Sequence, residues 1–315
     1  MLNPISFFTK PEYFFRPKQA MQRVQRQWKP VKPFEVFALP WGSPLGVHTN
    51  TALGSELWRY GIGDRGVLDT IIRLADRGEM ALDVGANVGL TCSLAAAAVG
   101  PTGNVIAFEP HPEVYKELKS NADRWSLPNL RLENVALGAE NGEAFLVEGP
   151  KFHQDPGTAS ICLHAKNPVR RFKVRLCRLD DYIPEPTKIG LCKIDVEGYE
   201  LAVLQGARRA LEQHRIRDIV FEDFAPQPSA ISRLLQECGY SVFYLKTGWA
   251  KPMLVPLSDE KFKSLTQTGR RIGSFAYNYL ATLDDVRAAG RFRRIGWQCL
   301  SRISREEPVT TGQKE

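Results

Sequence analysis

Short strand-like runs alternate with helical runs between residues 66 and 282 of the 315-residue chain. The strand-like runs are MALDVG, NVIAFEP, LRLENVAL, IGLCKIDVEG and DIVFEDF, with YSVFYLK and FAYNYLATL after them. Because neighbouring parallel strands need a crossover connection, this order predicts an α/β fold with a mostly parallel sheet and helices on both faces.

One part of the chain interrupts this alternation. EAFLVEG and FKVRLCRLDDYI read as strands with no long helix between them, and the segment that separates them contains Gly and Pro. We interpret this part as an inserted hairpin with a long loop. The sequence therefore predicts an N-terminal extension over 1–50, a main domain over 51–282 and a C-terminal tail over 283–315.

The net charge of +7 is concentrated in both extensions. Such clusters can attract anionic lipid, nucleic acid or an acidic substrate, although a charged run is commonly just a solvated face. No nucleic-acid-binding motif accompanies them, so we expect no nucleic-acid partner. Aromatic residues among the N-terminal basic residues allow contact with a membrane surface, or packing on the core.

The cysteines and the apolar runs indicate the compartment. The six cysteines form no CxxC pair or zinc-like cluster, so buried thiols are the simpler interpretation. No apolar run approaches the length that spans a bilayer, and Pro and charged residues interrupt the N-terminal apolar residues. We therefore expect a cytoplasmic protein.

The stretch LDVGANVG runs from the first predicted strand into the turn after it, where a nucleotide-like ligand comes closest to the backbone of such a sheet. Gly85 and Gly89 let the main chain bend there, and Asp83 can accept a hydrogen bond. A dinucleotide site usually has glycine at the position of Asn87, because the pyrophosphate needs close backbone approach. S-adenosylmethionine lacks a pyrophosphate and tolerates Asn87. Glu109 ends the second strand, where it can accept hydrogen bonds from ribose hydroxyls.

Five motifs together carry a family resemblance: LDVGANVG, AFEP, ENVALG, CRLDDY and above all KIDVEGYELAVLQGA. In this order they closely resemble the FkbM family of S-adenosylmethionine-dependent methyltransferases, over about residues 80–245. The resemblance implies the Rossmann-like, seven-stranded class I methyltransferase fold and an O-methyltransferase acting on sugar or polyketide hydroxyls. It also implies cofactor contacts from Asp83, Gly85, Asn87, Gly89, Glu109, Asn134, Val135 and Ala136.

A second acidic cluster, in KIDVEGYE, supplies the candidates for the active site. Asp195 ends the fourth strand of the expected sheet, which faces the reacting methyl, and it is our first candidate for the catalytic carboxylate. Glu197 is a further active-site candidate. In the alternative interpretation, both acids only cap the helix that starts near Tyr199.

Two other residues are catalytic candidates. Glu222 ends the next strand on the same side of the sheet and could bind a substrate hydroxyl, or could be a solvated strand-end acid. His153 lies in a loop that should overhang the site, where it could act as a base or simply be exposed.

The sequence therefore predicts an enzyme that moves a methyl group from S-adenosylmethionine to a hydroxyl of a sugar, glycolipid, exopolysaccharide or glycosylated metabolite. The alternative is a catalytically inactive module that keeps the fold as a basic adaptor. An NAD-dependent oxidoreductase is disfavoured by Asn87. The motifs predict no metal ligands and leave the oligomeric state open.

Overall fold

The computed structural model describes residues 31–149, 159–161, 170–258 and 277–300, together with positions 21, 152 and 154. Its strands are β1 (Phe34–Ala38), β2 (Pro44–His48), β3 (Met80–Val84), β4 (Asn104–Phe108), β5 (Leu130–Glu133), β6 (Ala136–Leu137), β7 (Gly142–Glu148), β8 (Ser160–Ile161), β9 (Arg170–Cys177), β10 (Ile189–Ile194), β11 (Ile216–Glu222), β12 (Ser241–Thr247), β13 (Pro252–Pro256) and β14 (Asn278–Thr282). Its α-helices are α1 (Ala52–Tyr60), α2 (Arg65–Leu74), α3 (Leu90–Val99), α4 (Pro112–Ala122), α5 (Leu179–Tyr182), α6 (Glu200–Gly206), α7 (Arg208–Glu212), α8 (Ala230–Glu237) and α9 (Asp285–Arg293).

The main sheet has the strand order β13-β12-β14-β11-β10-β3-β4-β5. Five adjacent strands of this sheet run parallel, namely β11, β10, β3, β4 and β5. In contrast, β14 runs antiparallel to both of its neighbours, β11 and β12. This arrangement confirms the predicted α/β fold with a mostly parallel sheet. The described sheet has eight strands instead of seven because β13, which the sequence did not indicate, pairs with the edge of β12.

Helices cover both faces of this sheet because successive strand residues point to opposite sides. Ala81 belongs to the core that contains apolar residues of α2, α3 and α4. The next residue, Leu82, belongs to the core that contains apolar residues of α6, α7 and α8. The carboxyl ends of β3, β4, β10 and β11 therefore meet at one edge, between two packed helical layers.

The predicted hairpin insert is confirmed, since β7 and β9 pair antiparallel within a second sheet of order β6-β9-β7-β8. Three local predictions are wrong in detail. The run LRLENVAL is divided between the two sheets, as β5 and β6. LDDY forms α5 instead of extending its strand. The single helix predicted after residue 199 is two short helices, α6 and α7.

Described parts of both predicted extensions pack on the domain. In the β1–β2 connection, the Trp41 Nε1–H donates to Ser93 Oγ on α3 at 3.0 Å. At the other end of the chain, the buried Arg73 guanidinium donates to the backbone carbonyls of Arg291, Arg294 and Gly296. Residues 34–48 and 285–300 thus contribute to the same core as α2 and α3.

The cysteines of the described residues agree with the prediction of buried thiols. Cys92, Cys177, Cys192, Cys238 and Cys299 are unpaired and buried, as expected. Cys162 lies outside the described residues. No helix in the described part of the chain has the length and hydropathy needed to cross a membrane.

Candidate active site

The turn after β3 brings two strand ends into close contact. The Gly85 and Ala86 N–H groups donate to the Phe108 carbonyl at 3.0 and 2.9 Å, which ties this turn to the end of β4. Gly85 has φ +81°, and a Cβ there would lie 1.8 Å from the Asp195 carbonyl oxygen. Only glycine fits, because a side chain would push β3 away from β10.

The next residues of the turn have different roles. Asn87 has φ +49°, and its N–H donates to Glu109 Oε2 at 2.8 Å. Gly89 is the N-cap of α3, and a Cβ there would lie 2.5 Å from the Trp125 ring. Asn87 therefore lines the site, whereas Gly89 allows the helix to pack closely on a tryptophan.

Glu109 is a buried carboxylate held by backbone groups. Its Oε1 accepts from the His111 N–H at 2.8 Å, and Oε2 accepts from Asn87. The Asn134 side chain donates to the Glu109 carbonyl at 2.8 Å and so fixes the same turn. Burial raises the pKa of Glu109 to about 7, against the lowering effect of the two backbone donors. His111 caps α4 through Nδ1.

Lys193 lies at the centre of the site, and the sequence did not reveal its role. Its buried ammonium donates to the Gly85 carbonyl at 2.8 Å and lies 3.3 Å from Asp83 Oδ1 and 3.4 Å from Asp195 Oδ2. Burial lowers the pKa of Lys193, but the two carboxylates outweigh it and hold the pKa above its ordinary value. Asp83 also accepts a hydrogen bond from Thr91 Oγ1.

Asp195 follows β10 and reaches the solvent side of this network. Its side chain is 46% exposed, whereas that of Lys193 is 8% exposed. Tyr199 is the N-cap of α6 and makes no side-chain capping hydrogen bond, while Glu200 accepts from the Val196 and Gly198 N–H groups at 3.0 and 3.2 Å. In the described residues, the turn before α6 is thus held by Glu200.

Glu222 ends β11, one strand from Asp195. Burial, together with the nearby charges of Asp195 and Glu197, raises the pKa of Glu222 to about 8. A carboxyl group with this pKa is mostly protonated at neutral pH, so it donates a hydrogen bond more readily than it accepts a proton. Glu222 is therefore poorly suited to act as a general base at pH 7.

A cleft of about 280 Å³ opens at this edge of the sheet. It brings together most of the predicted site residues: Gly85, Asn87, Glu109, Val135, Ala136, Asp195 and Glu197. Four predicted residues are not on its wall, namely Asp83, Gly89, Asn134 and Glu222. Asp83 and Asn134 instead support residues that are, through Lys193 and Glu109. His153 lies outside the described residues.

Two helices that the sequence did not indicate complete the wall. Leu53 and Glu56 of α1 line the cleft, together with Asp64 and Val67 at the start of α2. The insert adds Leu146, Ala159 and Ile161. Within the part of the chain that the structure describes, no group of three or more His, Cys, Asp or Glu side chains is arranged to hold a metal ion.

Comparison with protein families decides the identity of this site. Residues 83–242 match the model of the methyltransferase FkbM domain, which is about half of the chain. The chain belongs to the FkbM methyltransferase family. It is a methyltransferase, and S-adenosylmethionine is its cofactor.

Named relatives agree with this assignment. The chain is 30% identical over 239 residues to the 31-O-demethyl-FK506 methyltransferase FkbM of Streptomyces tacrolimicus, covering 66% of this chain and 89% of that one. It is 26% identical over 189 residues to the hexuronic acid methyltransferase AglP of Haloferax volcanii, covering 59% and 74%. A solved O-methyltransferase of Thermotoga maritima covers 82% of the chain at 16% identity, with a TM-score of 0.38, which is too low to bear on function.

The FkbM site has groups that fit S-adenosylmethionine. A carboxylate offers about four acceptor positions, and the backbone donors of Asn87 and His111 use one on each Glu109 oxygen. Glu109 lines the cleft, so its remaining acceptor positions suit the two ribose hydroxyls. Val135 and Ala136 also line the cleft and would give the adenine an apolar wall.

Proposed function

We propose that this FkbM-family enzyme methylates a hydroxyl oxygen of a sugar unit, and that Asp195 is the general base. The observation that carries the proposal is the placement of Asp195. Its carboxylate lines the cleft next to the Gly85 turn, half exposed, while its neighbours Asp83 and Lys193 are buried.

The residues of the cleft divide the work between binding and proton transfer. S-adenosylmethionine, when bound, supplies the methyl group to the acceptor oxygen and leaves as the thioether. Glu109 and the Val135–Ala136 turn bind the cofactor on one side of the cleft. Asp195 accepts the proton that the hydroxyl releases as its oxygen is methylated. Lys193 holds Asp195 Oδ2 and thereby orients the carboxylate.

A hydroxyl acceptor suits the acidic residues that line the cleft. Glu56, Asp64, Asp195 and Glu197 line the cleft, and we call these four acidic residues the acceptor wall. Carboxylates accept hydrogen bonds from hydroxyl groups. Two relatives support different parts of the proposal, since one is named for a demethyl oxygen and the other for a hexuronic acid, which is a sugar unit.

Isotope-labelled S-adenosylmethionine and a panel of methyl glycosides and oligosaccharides test this function. We expect label in at least one sugar, as an ether that resists mild base, with S-adenosylhomocysteine formed in equal amount. Label that is found only in protein, nucleic acid or amine acceptors would contradict the proposal. The matched control is Glu109→Ala, which should raise the S-adenosylmethionine concentration needed for labelling without changing which acceptor is labelled.

A further inference from the structure

Four aromatic side chains are conspicuously exposed in the described residues, and three of them lie at the edge of the sheet that carries the active site. Phe224 is 59% exposed, Trp249 53% and Tyr277 39%; the fourth, Phe34, lies in β1. Phe224 follows the end of β11, Tyr277 precedes β14, and Trp249 follows the end of β12. We call these three residues the aromatic rim.

The rim follows the order of the strands outward from Asp195. β10 pairs with β11, β11 with β14, and β14 with β12. Since neighbouring strands lie about 4.8 Å apart, the rim begins about one strand from Asp195 and ends about 14 Å away. A single sugar ring held at Asp195 cannot reach Trp249.

Hydrogen bonds hold the rim in place and join it to the cleft. The Asp223 N–H donates to the Tyr277 carbonyl at 2.9 Å, and the Phe224 and Tyr277 rings contact each other with centroids 4.9 Å apart. Asn278, the next residue, donates to Asp64 Oδ2 at 2.9 Å, and Asp64 lines the cleft. The rim is thus continuous with the acceptor wall.

We propose that the aromatic rim binds the part of the acceptor beyond the sugar that is methylated, so the substrate is an oligosaccharide or other extended glycan. This inference rests on the proposed function of the same site. Exposed aromatic faces beside a polar cleft suit the apolar C–H faces of successive sugar rings, whose hydroxyls stay in water. The acceptor wall binds one ring and the rim binds those that follow.

Paired acceptors of different length test this proposal on the full chain. The methyl glycoside labelled in the panel is compared with a tetrasaccharide of the same sugar, using wild type and the variant Phe224→Ala/Trp249→Ala/Tyr277→Ala. We expect the variant to raise KM for the tetrasaccharide about tenfold and to leave KM for the glycoside unchanged, since each aromatic contact contributes modestly. Val286→Ala, at a side chain 80% exposed on α9, is the matched control.

Binding measurements keep the outcome separate from that of the proposed function. Calorimetric titration of tetrasaccharides into the S-adenosylhomocysteine complex reports on the rim whether or not methyl transfer is seen, and melting temperature checks folding. Phe224→Trp alone should retain tetrasaccharide affinity. Equal affinity of wild type and the triple variant would overturn the proposal, as would a wild type that binds no tetrasaccharide. Cosedimentation with anionic phospholipid vesicles is measured on the same two proteins. Loss of vesicle binding in the triple variant with unchanged tetrasaccharide affinity would also overturn the proposal, in favour of a lipid surface.

Discussion

At the scale of single residues, the site depends on two buried charges with different functions. Glu109 is buried and held by backbone donors, whereas Lys193 neutralises two aspartates at the junction of β3 and β10. Both are buried, so both are sensitive to loss of a partner. They give predictions that distinguish ligand binding from stability.

Glu109 predicts a pH-dependent cofactor affinity. Its pKa is raised from 4.5 to about 7, so its contribution to the stability of the ligand-free protein is present below pH 4.5 and is lost as pH rises through about 7. The ionised form accepts ribose hydroxyls better. The dissociation constant of S-adenosylhomocysteine should therefore fall about tenfold between pH 6 and pH 8. In Glu109→Gln this pH dependence should disappear; a dependence that persists would assign it to another group.

Lys193 predicts a loss of stability. Lys193→Met removes the cation from the buried Asp83 carboxylate, and breaking a buried pair on one side costs about 3 kcal/mol. Urea denaturation should show this decrease in the free energy of unfolding. Arg208→Met, at an exposed pair with Glu212, is the control and should change stability by less than about 1 kcal/mol. Similar values for the two variants would contradict the central position of Lys193.

At the scale of elements, the junction of β3 with β10 depends on Gly85. Gly85→Ala places a Cβ against the Asp195 carbonyl oxygen, and we expect it to abolish S-adenosylhomocysteine binding and to cost about 3 kcal/mol of stability. Gly198 also has positive φ, at +91°, but its Cβ would meet nothing within 4 Å. Gly198→Ala should therefore cost only the backbone strain, about 1–2 kcal/mol. Calorimetry and thermal unfolding of both variants give the comparison, and equal effects would mean that strain alone matters.

The elements also show which features could be predicted from sequence. The Gly85 turn and the strand-end acids Glu109 and Asp195 could be placed, because parallel strands bring their carboxyl ends to one edge. The role of Lys193 could not, because it depends on the Gly85 carbonyl 108 residues away. The walls from α1 and α2 were missed because these two helices fit no recognised motif. The division of LRLENVAL between two sheets follows from long-range pairing of β6 with β9.

At the scale of the whole molecule, the C-terminal segment forms part of the fold. Arg73, on α2, donates to three carbonyls of residues 291–296, and Asp69 accepts from the Cys299 N–H at 2.9 Å. Removing residues 284–315 would leave the Arg73 guanidinium without these acceptors and would uncover the apolar residues of α2 that share a core with Phe292 and Trp297. We expect this truncation to abolish cooperative thermal unfolding. A truncated protein with an unchanged melting temperature would show that the segment does not contribute to the stability of the domain.

The central claim is that Asp195 takes the acceptor's proton while other residues hold the cofactor. The most direct test measures methyl transfer, S-adenosylhomocysteine affinity and melting temperature on one preparation of Asp195→Asn, with Asp285→Asn, at an exposed position of α9, as the control. Asparagine keeps the size of the side chain but cannot accept the proton. We predict that methyl transfer falls roughly 10²- to 10⁴-fold, the usual contribution of a positioned base, while affinity stays within a few-fold and the melting temperature is retained. Near-normal methyl transfer by Asp195→Asn would contradict the claim.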